Sequence, residues 1–591
     1  MQKWQIEVHA SAQWLLQYFF IVIAALAVIA ALTGLFTRFG KEFRRVLHPC
    51  LDRSSSLKVL GMIAVMVLLL LTEIRLNVLN TFTSSGAYTA LQKQSAGLFW
   101  QAIMMNALIL MLRAFNNVVN DFLDQALAIK WSARLNSVLI GRWLDDKNYY
   151  RLQSRRDAPD NIDQRIQQDA QDFIASTIEF IRGMLSSVLT TIEFTAVLWA
   201  LSGILTVFGT DIPKGIVFFV YAAILAATVL AMWIGRPLIR YNYDNERLNG
   251  NYRYSLVRLR DHAESIAFYG GEWQEKAKLT QRFAAIIRNR WKIARQSIAL
   301  SGFNELFTQG MKILPLMLQA PRFFAGQIEL GDMQQTLQSF TRLQTSMSFF
   351  RNFYGKFTVY RARLERLHGF LESTDIPVRP ARNPQRHTDE GSLKLDGLAI
   401  YRNNGETLFE NIAFAVPRGG SLMIKGPSGC GKTTLMRVLA DLWPFGSSGR
   451  IDSPGAGSIM FVPQRPYTPQ GSLRQVLSYP NGQYGTDELT RALADCRMET
   501  YADHLDEVKD WQSAFSPGEL QRIAFARVLL AKPRLILLDE ATAALDEPTE
   551  AHLYRLIRER LPESIIVSIG HRGTLEAFHD RSIYIKQPVV C

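Results

Sequence analysis

The chain has 591 residues, a net charge of +13 and 48% hydrophobic residues, with a mean hydropathy of +0.02. That length suggests three or four units of roughly 150 residues, and the four scattered cysteines (Cys50, Cys430, Cys496, Cys591) have neither disulfide nor metal spacing, which excludes a disulfide framework. The basic excess lies beside long apolar runs, so it points to a membrane surface and away from a nucleic-acid partner.

In chain order, Ser11–Thr37 holds no charged residue and is long enough to cross a bilayer as a helix. A cleaved signal peptide is the alternative, but the basic leader is weak and no small-residue cleavage site follows. Further spans centre on 59–72, 99–122, 173–201, 216–234, 297–318 and 333–353, giving one extra N-terminal helix plus a set of six. Lysines and arginines crowd the loop after the first span (Arg38, Lys41, Arg44, Arg45, Arg53, Lys58), the loop after the third (Lys130, Arg134, Arg142, Lys147, Arg151) and the stretch 236–295. The loops 80–98, 202–215 and 319–332 hold few. The positive-inside rule then puts the basic loops and the C-terminal half in the cytoplasm, with the N-terminus outside, as expected for an integral protein of a bacterial inner membrane.

Residues 377–390 are charged, contain proline and lack a hydrophobic period, so they read as a linker. The expected organisation is an extra helix and basic loop over 1–57, a six-helix transmembrane domain over 58–376, and a soluble α/β domain over 391–591.

The soluble half contains Gly426-Pro427-Ser428-Gly429-Cys430-Gly431-Lys432-Thr433-Thr434, the spacing of a phosphate-binding P-loop. The strand-like run 421–425 precedes it and a helical run starts after it. Its glycines let backbone N–H groups curl around phosphate at a helix N-terminus, Lys432 reaches the β- and γ-phosphates, and Thr433 holds Mg²⁺. Downstream, Leu535–Leu538 is an apolar strand ending in Asp539 and Glu540. Asp539 is placed to bind Mg²⁺ and Glu540 to act as base toward water. Gln464 ends the strand-like run at 461–463 and can reach metal and water; His571 ends the run at 565–570 and is expected at the γ-phosphate. The segment Phe515-Ser516-Pro517-Gly518-Glu519 carries S-x-x-E with proline at the first helical position, the pattern of a capped helix.

Taken in order between 426 and 571, these motifs resemble the ABC transporter superfamily. Its signature, usually L-S-G-G-Q, is here F-S-P-G-E, so Phe515, Pro517 and Glu519 depart from the pattern. The resemblance implies ATP and Mg²⁺ as cofactors, with Lys432, Gln464, Glu540 and His571 in hydrolysis and Thr433, Gln464 and Asp539 at the metal. It also implies nucleotide contacts from the 426–434 loop, Ser516, Gly518, Glu519 and Asp546, and an adenine-stacking aromatic for which Tyr401 is the candidate. The family buries ATP between the P-loop of one domain and the signature of another. This chain has one of each, which implies a homodimer of half-transporters.

Segments 463–467, 471–474, 479–480, 143–144, 149–151, 163–166 and 267–272 are similar to the SbmA/BacA-like branch, which is related to the peroxisomal subfamily D; that branch's Asn-Pro-Asp-Gln-Arg is here Asn161-Ile162-Asp163-Gln164-Arg165. Segments 234–238, 256–261 and 319–327 resemble the mycobacterial-type importer of cobalamin and hydrophilic solutes. The resemblance implies an exporter-type fold used for uptake of a hydrophilic or peptide-like solute. Lipid or acyl-CoA transport is the alternative, and a membrane-anchored ATPase that moves no solute is a third reading. Segments 163–166 and 264–271 are expected to touch ATPase domains. Charges fall within the spans, and Arg113 and Glu193, which interrupt long apolar stretches, are expected to face a wet translocation cavity.

Overall fold

Among the described residues, seven helices of 32 to 53 residues make up the apolar half. The computed structural model describes residues 3–51, 56–154, 159–207, 210–375, 383–480, 482–570 and 572–585. The chain divides into two units, one of residues 1–148 and 157–375 and the other of 149–156 and 376–591.

In the first unit the long helices are α1 (Lys3–Phe36), α3 (Ser56–Gln92), α4 (Ala96–Leu144), α5 (Ala170–Leu201), α6 (Gly215–Asp261), α8 (Glu272–Phe324) and α9 (Leu330–Asp375). Short helices α2 (Arg38–Leu47) and α7 (Ala263–Tyr269) lie between them, and a hairpin, β1 (Ile204–Val207) with β2 (Thr210–Pro213), precedes α6. Continuous helix is what an apolar solvent demands, because it satisfies every backbone N–H and C=O within the segment. The outward apolar side chains fit that solvent: Phe20 is 64% exposed, Met104 72% and Trp233 74%.

Five helices among the described residues are long and apolar enough to cross a membrane: 4–36, 58–92, 96–153, 162–201 and 215–261. The expected spans 297–318 and 333–353 lie inside α8 and α9, which have the length but are more polar. The physical reason is visible in their side chains. Exposed Glu305, Gln309 and Lys312 bond one another along α8, and Gln335, Thr336, Ser339 and Gln344 are buried on α9.

The extra N-terminal helix is docked by polar contacts. Trp14 Nε1 donates to Glu193 at 3.1 Å, and Arg75 pairs with Glu7, donates to Ser11 Oγ at 3.0 Å and lies 5.5 Å over the Trp14 ring. Glu193 is therefore a docking contact for α1. Thr37 caps α2, and Glu42 receives Arg38 at 2.9 Å and Arg361 of α9 at 3.1 Å. Arg182 of α5 pairs with Asp124, and with Asp121 at 3.5 Å and Glu73 at 3.7 Å. Segment 163–166 lies where a single helical turn passes into a π-helix, and Arg165 donates to the carbonyls of Asp160 and Arg366. Helix α7 ends at Gly270, with φ +62°, and exposes Phe268 and Tyr269.

The second unit contains a short ribbon, β9 (Gly471–Ser472) with β10 (Val508–Lys509), and two larger sheets. A parallel sheet runs in the order β13 (Arg581–Tyr584), β6 (Ser421–Lys425), β12 (Ile565–Ile569), β11 (Leu535–Asp539), β8 (Ile459–Val462). A mixed sheet runs β3 (Gln385–Thr388), β7 (Ser447–Ser453), β4 (Ser392–Tyr401), β5 (Thr407–Pro417). Strands β11 and β12 are buried throughout, as the continuous apolar runs of a parallel sheet covered on both faces require. The stretch expected as a linker, 377–390, thus includes strand β3, held by pairing with β7.

Candidate functional site

The site is built where the central parallel strands end. After β6 the chain turns through 426–431 into α10 (Lys432–Leu439). Two glycines there answer a steric demand. Gly426 has φ +152°, and a Cβ on it would lie 2.4 Å from the Ile585 carbonyl oxygen; Gly431 has φ +104°, and a Cβ would lie 2.8 Å from the Phe409 ring. Pro427, Ser428 and Gly429 are exposed, Cys430 is buried, and Thr434 is half-buried in the first turn of α10. Lys432 is 6% exposed and donates to the carbonyls of Gly426 at 2.8 Å and Pro427 at 2.9 Å. Its ammonium is thereby held within the 426–431 loop.

Thr433 Oγ1, in the first turn of α10, donates to Asp539 at the end of β11 at 3.2 Å. Burial raises the pKa of Asp539, opposed by the Thr433 hydrogen bond and aided by the charge of Glu540. A hydroxyl and a carboxylate side by side at the end of the phosphate loop fit Mg²⁺, which takes one or two protein oxygens together with nucleotide phosphate. Among the described residues no group of three or more His, Cys, Asp or Glu could hold a metal, so an ion here depends on that shared coordination.

Glu540 follows β11 with φ +49°, a left-handed conformation costing about 1–2 kcal/mol for a residue with a Cβ. Its N–H donates to the Ile569 carbonyl of β12 at 3.0 Å, which holds the turn, and Gln464 Nε2 donates to its carboxylate at 2.8 Å. Two expected catalytic residues are thus brought into contact.

Ser516 is the N-cap of α11 (Pro517–Ala531), and its side chain accepts from the Glu519 N–H while Glu519 reaches back to the Ser516 N–H at 2.9 Å. The Ser516 hydroxyl donates to Glu519 at 2.7 Å, and Tyr501 donates to the other carboxylate oxygen at 2.9 Å. Burial raises the Glu519 pKa, but those hydrogen bonds and Arg522 outweigh it and hold the group below the usual range. Glu519 is therefore engaged within its own capping box. Gly518 lies against the Ala544 carbonyl, 3.1 Å from where a Cβ would stand. Asp546 is the N-cap of α12 (Glu547–Arg560). The Thr549 hydroxyl, more than the charge of Arg497, depresses the Asp546 pKa.

Tyr401 ends β4; its hydroxyl shares a hydrogen bond with Ser448 of β7 at 3.0 Å and its carbonyl accepts from Trp443 at 2.8 Å. His571 lies outside the described residues.

Three residues that tie the motifs together went unread in the sequence. Gln521 bonds Gln464 and Ala544; Arg572 donates to the Leu545 carbonyl at 2.7 Å; Glu550, 1% exposed, accepts from Thr542 at 2.6 Å and from Thr574 at 3.2 Å. For Gln521 a signal existed: it shares a helical stripe with Ala524, Phe525 and Val528, and an amide on an apolar stripe marks a buried polar tie.

Residues 47–324 match the ABC transporter transmembrane region 2 family and residues 409–543 the ABC transporter family. The chain is 46% identical to an uncharacterized ABC transporter ATP-binding protein of Haemophilus influenzae, covering 100% of both. It is 31% identical to the chloroplastic ABC transporter D family member 2 of Arabidopsis thaliana, over 79% of this chain and 75% of that protein. A bacterial Atm1-family ABC exporter solved with ATP bound shares the fold, with a TM-score of 0.71 at 18% identity over 91% of this chain and 94% of that one.

Proposed function

This chain belongs to the ABC transporter family, and we propose that two copies of it form a homodimer of half-transporters that imports hydrophilic solutes, cobalamin or peptide-like compounds among them. The chain is a membrane protein that binds ATP and couples its hydrolysis to transport, and it is related to subfamily D. We place it in a bacterial inner membrane with the ATPase domain in the cytoplasm, on the distribution of basic loops.

The observation that carries the hydrophilic reading is polar matter inside the helical unit. Among the described residues, both ends of the Gln335 amide, Ser339 Oγ, Asn117 Oδ1, Asn120 Nδ2 and Arg113 Nε are buried without a hydrogen-bond partner. Each such atom costs about 1–3 kcal/mol in an apolar setting unless water or a polar solute meets it. A pathway that carries water and a hydrophilic solute supplies those partners. The relationship to subfamily D favours the second reading, lipid or acyl-CoA transport.

One P-loop and one signature per chain support the homodimer: Lys432 of one subunit faces Ser516 of the other across nucleotide. Glu540, oriented by Gln464, takes the proton of the attacking water. Lys432 and the backbone of 426–431 receive the phosphates. Thr433, Asp539 and Gln464 are the residues that would hold Mg²⁺, which when bound neutralises phosphate charge. Gly518 and Ser516 supply the donors of the helix N-terminus.

The test is ATPase activity in proteoliposomes with cobalamin, a peptide and an acyl-CoA offered separately. Stimulation by cobalamin or the peptide, reduced in Arg113→Ala, is expected. Stimulation by acyl-CoA alone selects the second reading, and a transport rate unchanged in Arg113→Ala removes that side chain from the pathway.

A further inference from the structure

We infer that Gln521 is a positioning residue for ATP hydrolysis: its buried amide ties the signature helix α11 to the Gln464 segment on one side and to the Asp546 loop on the other, so that three ATP-facing segments of one subunit keep a common register. Gln521 is 2% exposed. A primary amide in that position is tolerated only with both ends bonded. Here Nε2 donates to the Gln464 carbonyl at 3.1 Å, and Oε1 accepts from the Ala544 N–H at 3.0 Å.

The consequences follow from what each loop bears. Gln464 donates to Glu540 at 2.8 Å, so a shift of its backbone moves the group that orients the base. Ala544 sits two residues before Asp546, and its carbonyl already packs on Gly518, so the first turn of α11 and this loop touch directly. Six residues along α11, Arg527 closes the same assembly, donating to the carbonyls of Val476 and Tyr467, both at 2.7 Å. Helix α11 therefore grips the segment after Gln464 at two levels, with Gln521 at the level of the chemistry. In the proposed dimer, Gln464 and Ser516 of one subunit serve different nucleotides. The amide then links the state of one ATP site to the other, and this last step rests on the homodimer reading.

The experiment uses the full-length protein in proteoliposomes. Gln521→Glu keeps an acceptor for Ala544 and loses the donor to Gln464; Gln521→Met removes both at similar volume without burying a charge. Each variant is expected to bind TNP-ATP within about twofold of the wild type while kcat falls roughly tenfold or more, a split that general destabilisation would not produce. Gln521→Glu should recover toward wild-type kcat as pH is lowered, because a protonated carboxyl can donate to the Gln464 carbonyl. In a Gln464→Ala background, Gln521→Glu should change kcat by less than about threefold, since the tether then positions no functional side chain. Wild-type kcat in Gln521→Met, or an undiminished loss from Gln521→Glu in the Gln464→Ala background, overturns the inference. If Gln521→Met does not fold, Gln521→Glu and the double variant decide alone. Wild-type kcat in Gln464→Ala itself would instead overturn the role proposed for Gln464, a failure distinct from that of the tether.

Discussion

Glu540 is the proposed base for hydrolysis, and its geometry is costly: a left-handed backbone at a strand end, held by the Ile569 carbonyl, with Gln464 on its carboxylate. Glu540→Gln keeps shape and charge-independent contacts but removes the base. We expect ATP binding to persist and hydrolysis to fall by about 10²–10⁴-fold, measured as phosphate release at saturating ATP; turnover near wild type would take Glu540 out of that role. Removing divalent metal with EDTA should abolish hydrolysis in the wild type, and Asp539→Asn should raise the Mg²⁺ concentration needed for half-maximal rate. A second residue reports on stability. His579 is half-buried, with Nε2 2.8 Å from Ser568 Oγ, and desolvation lowers its pKa. The unfolded chain therefore binds the proton more readily than the folded one. Stability from this group is fully present above the ordinary histidine value of about 6.5 and is lost as pH falls from there through the depressed folded pKa. The thermal midpoint should drop between neutral and mildly acidic pH, and His579→Gln should flatten that dependence. A variant curve parallel to the wild type would assign the slope to other groups.

At the scale of elements, α1 and α11 show how much a few polar contacts decide. Helix α1 reads as a span from its lack of charge, and the Trp14–Glu193 hydrogen bond and the Arg75–Glu7 pair add polar ties to its apolar packing on Val67, Leu70, Leu71 and Leu189. Interhelical hydrogen bonds in membranes contribute about 0.6 kcal/mol on average. Trp14→Phe should therefore lower the unfolding midpoint in detergent slightly, and Arg75→Met more, because it leaves Glu7 without its ion pair; midpoints unchanged in both would mean that α1 is held by packing alone. Helix α11 was legible as a capped helix from S-x-x-E and Pro517, and the capping box is formed. Its grip on two other motifs was not legible, because Gln521, Gln464 and Ala544 meet only when distant strands are laid side by side.

At the scale of the whole molecule, the proposed homodimer makes a complementation prediction. Lys432→Ala and Ser516→Ala subunits should each be inactive as homodimers. A mixed dimer concentrates both defects in one composite site and leaves the other intact. Co-reconstitution should restore a measurable fraction of ATPase activity; none above the two parents would argue against a site shared between subunits.

What local pattern determines here is what local chemistry alone controls. Uncharged runs commit to helices because a bilayer leaves no other way to satisfy the backbone, and the phosphate loop is written in glycines whose conformation no other residue adopts cheaply. Tertiary structure alone decided the rest. Glu193 had the signature of a pathway charge, and only the docking of α1 shows Trp14 upon it. The linker-like stretch gained strand β3 because β7, more than fifty residues away, supplies its hydrogen bonds. Gln521 became a tie because its two partners lie at sequence separations of 57 and 23 residues. Such contacts arise from pairing across the fold, and no window along the chain contains both partners.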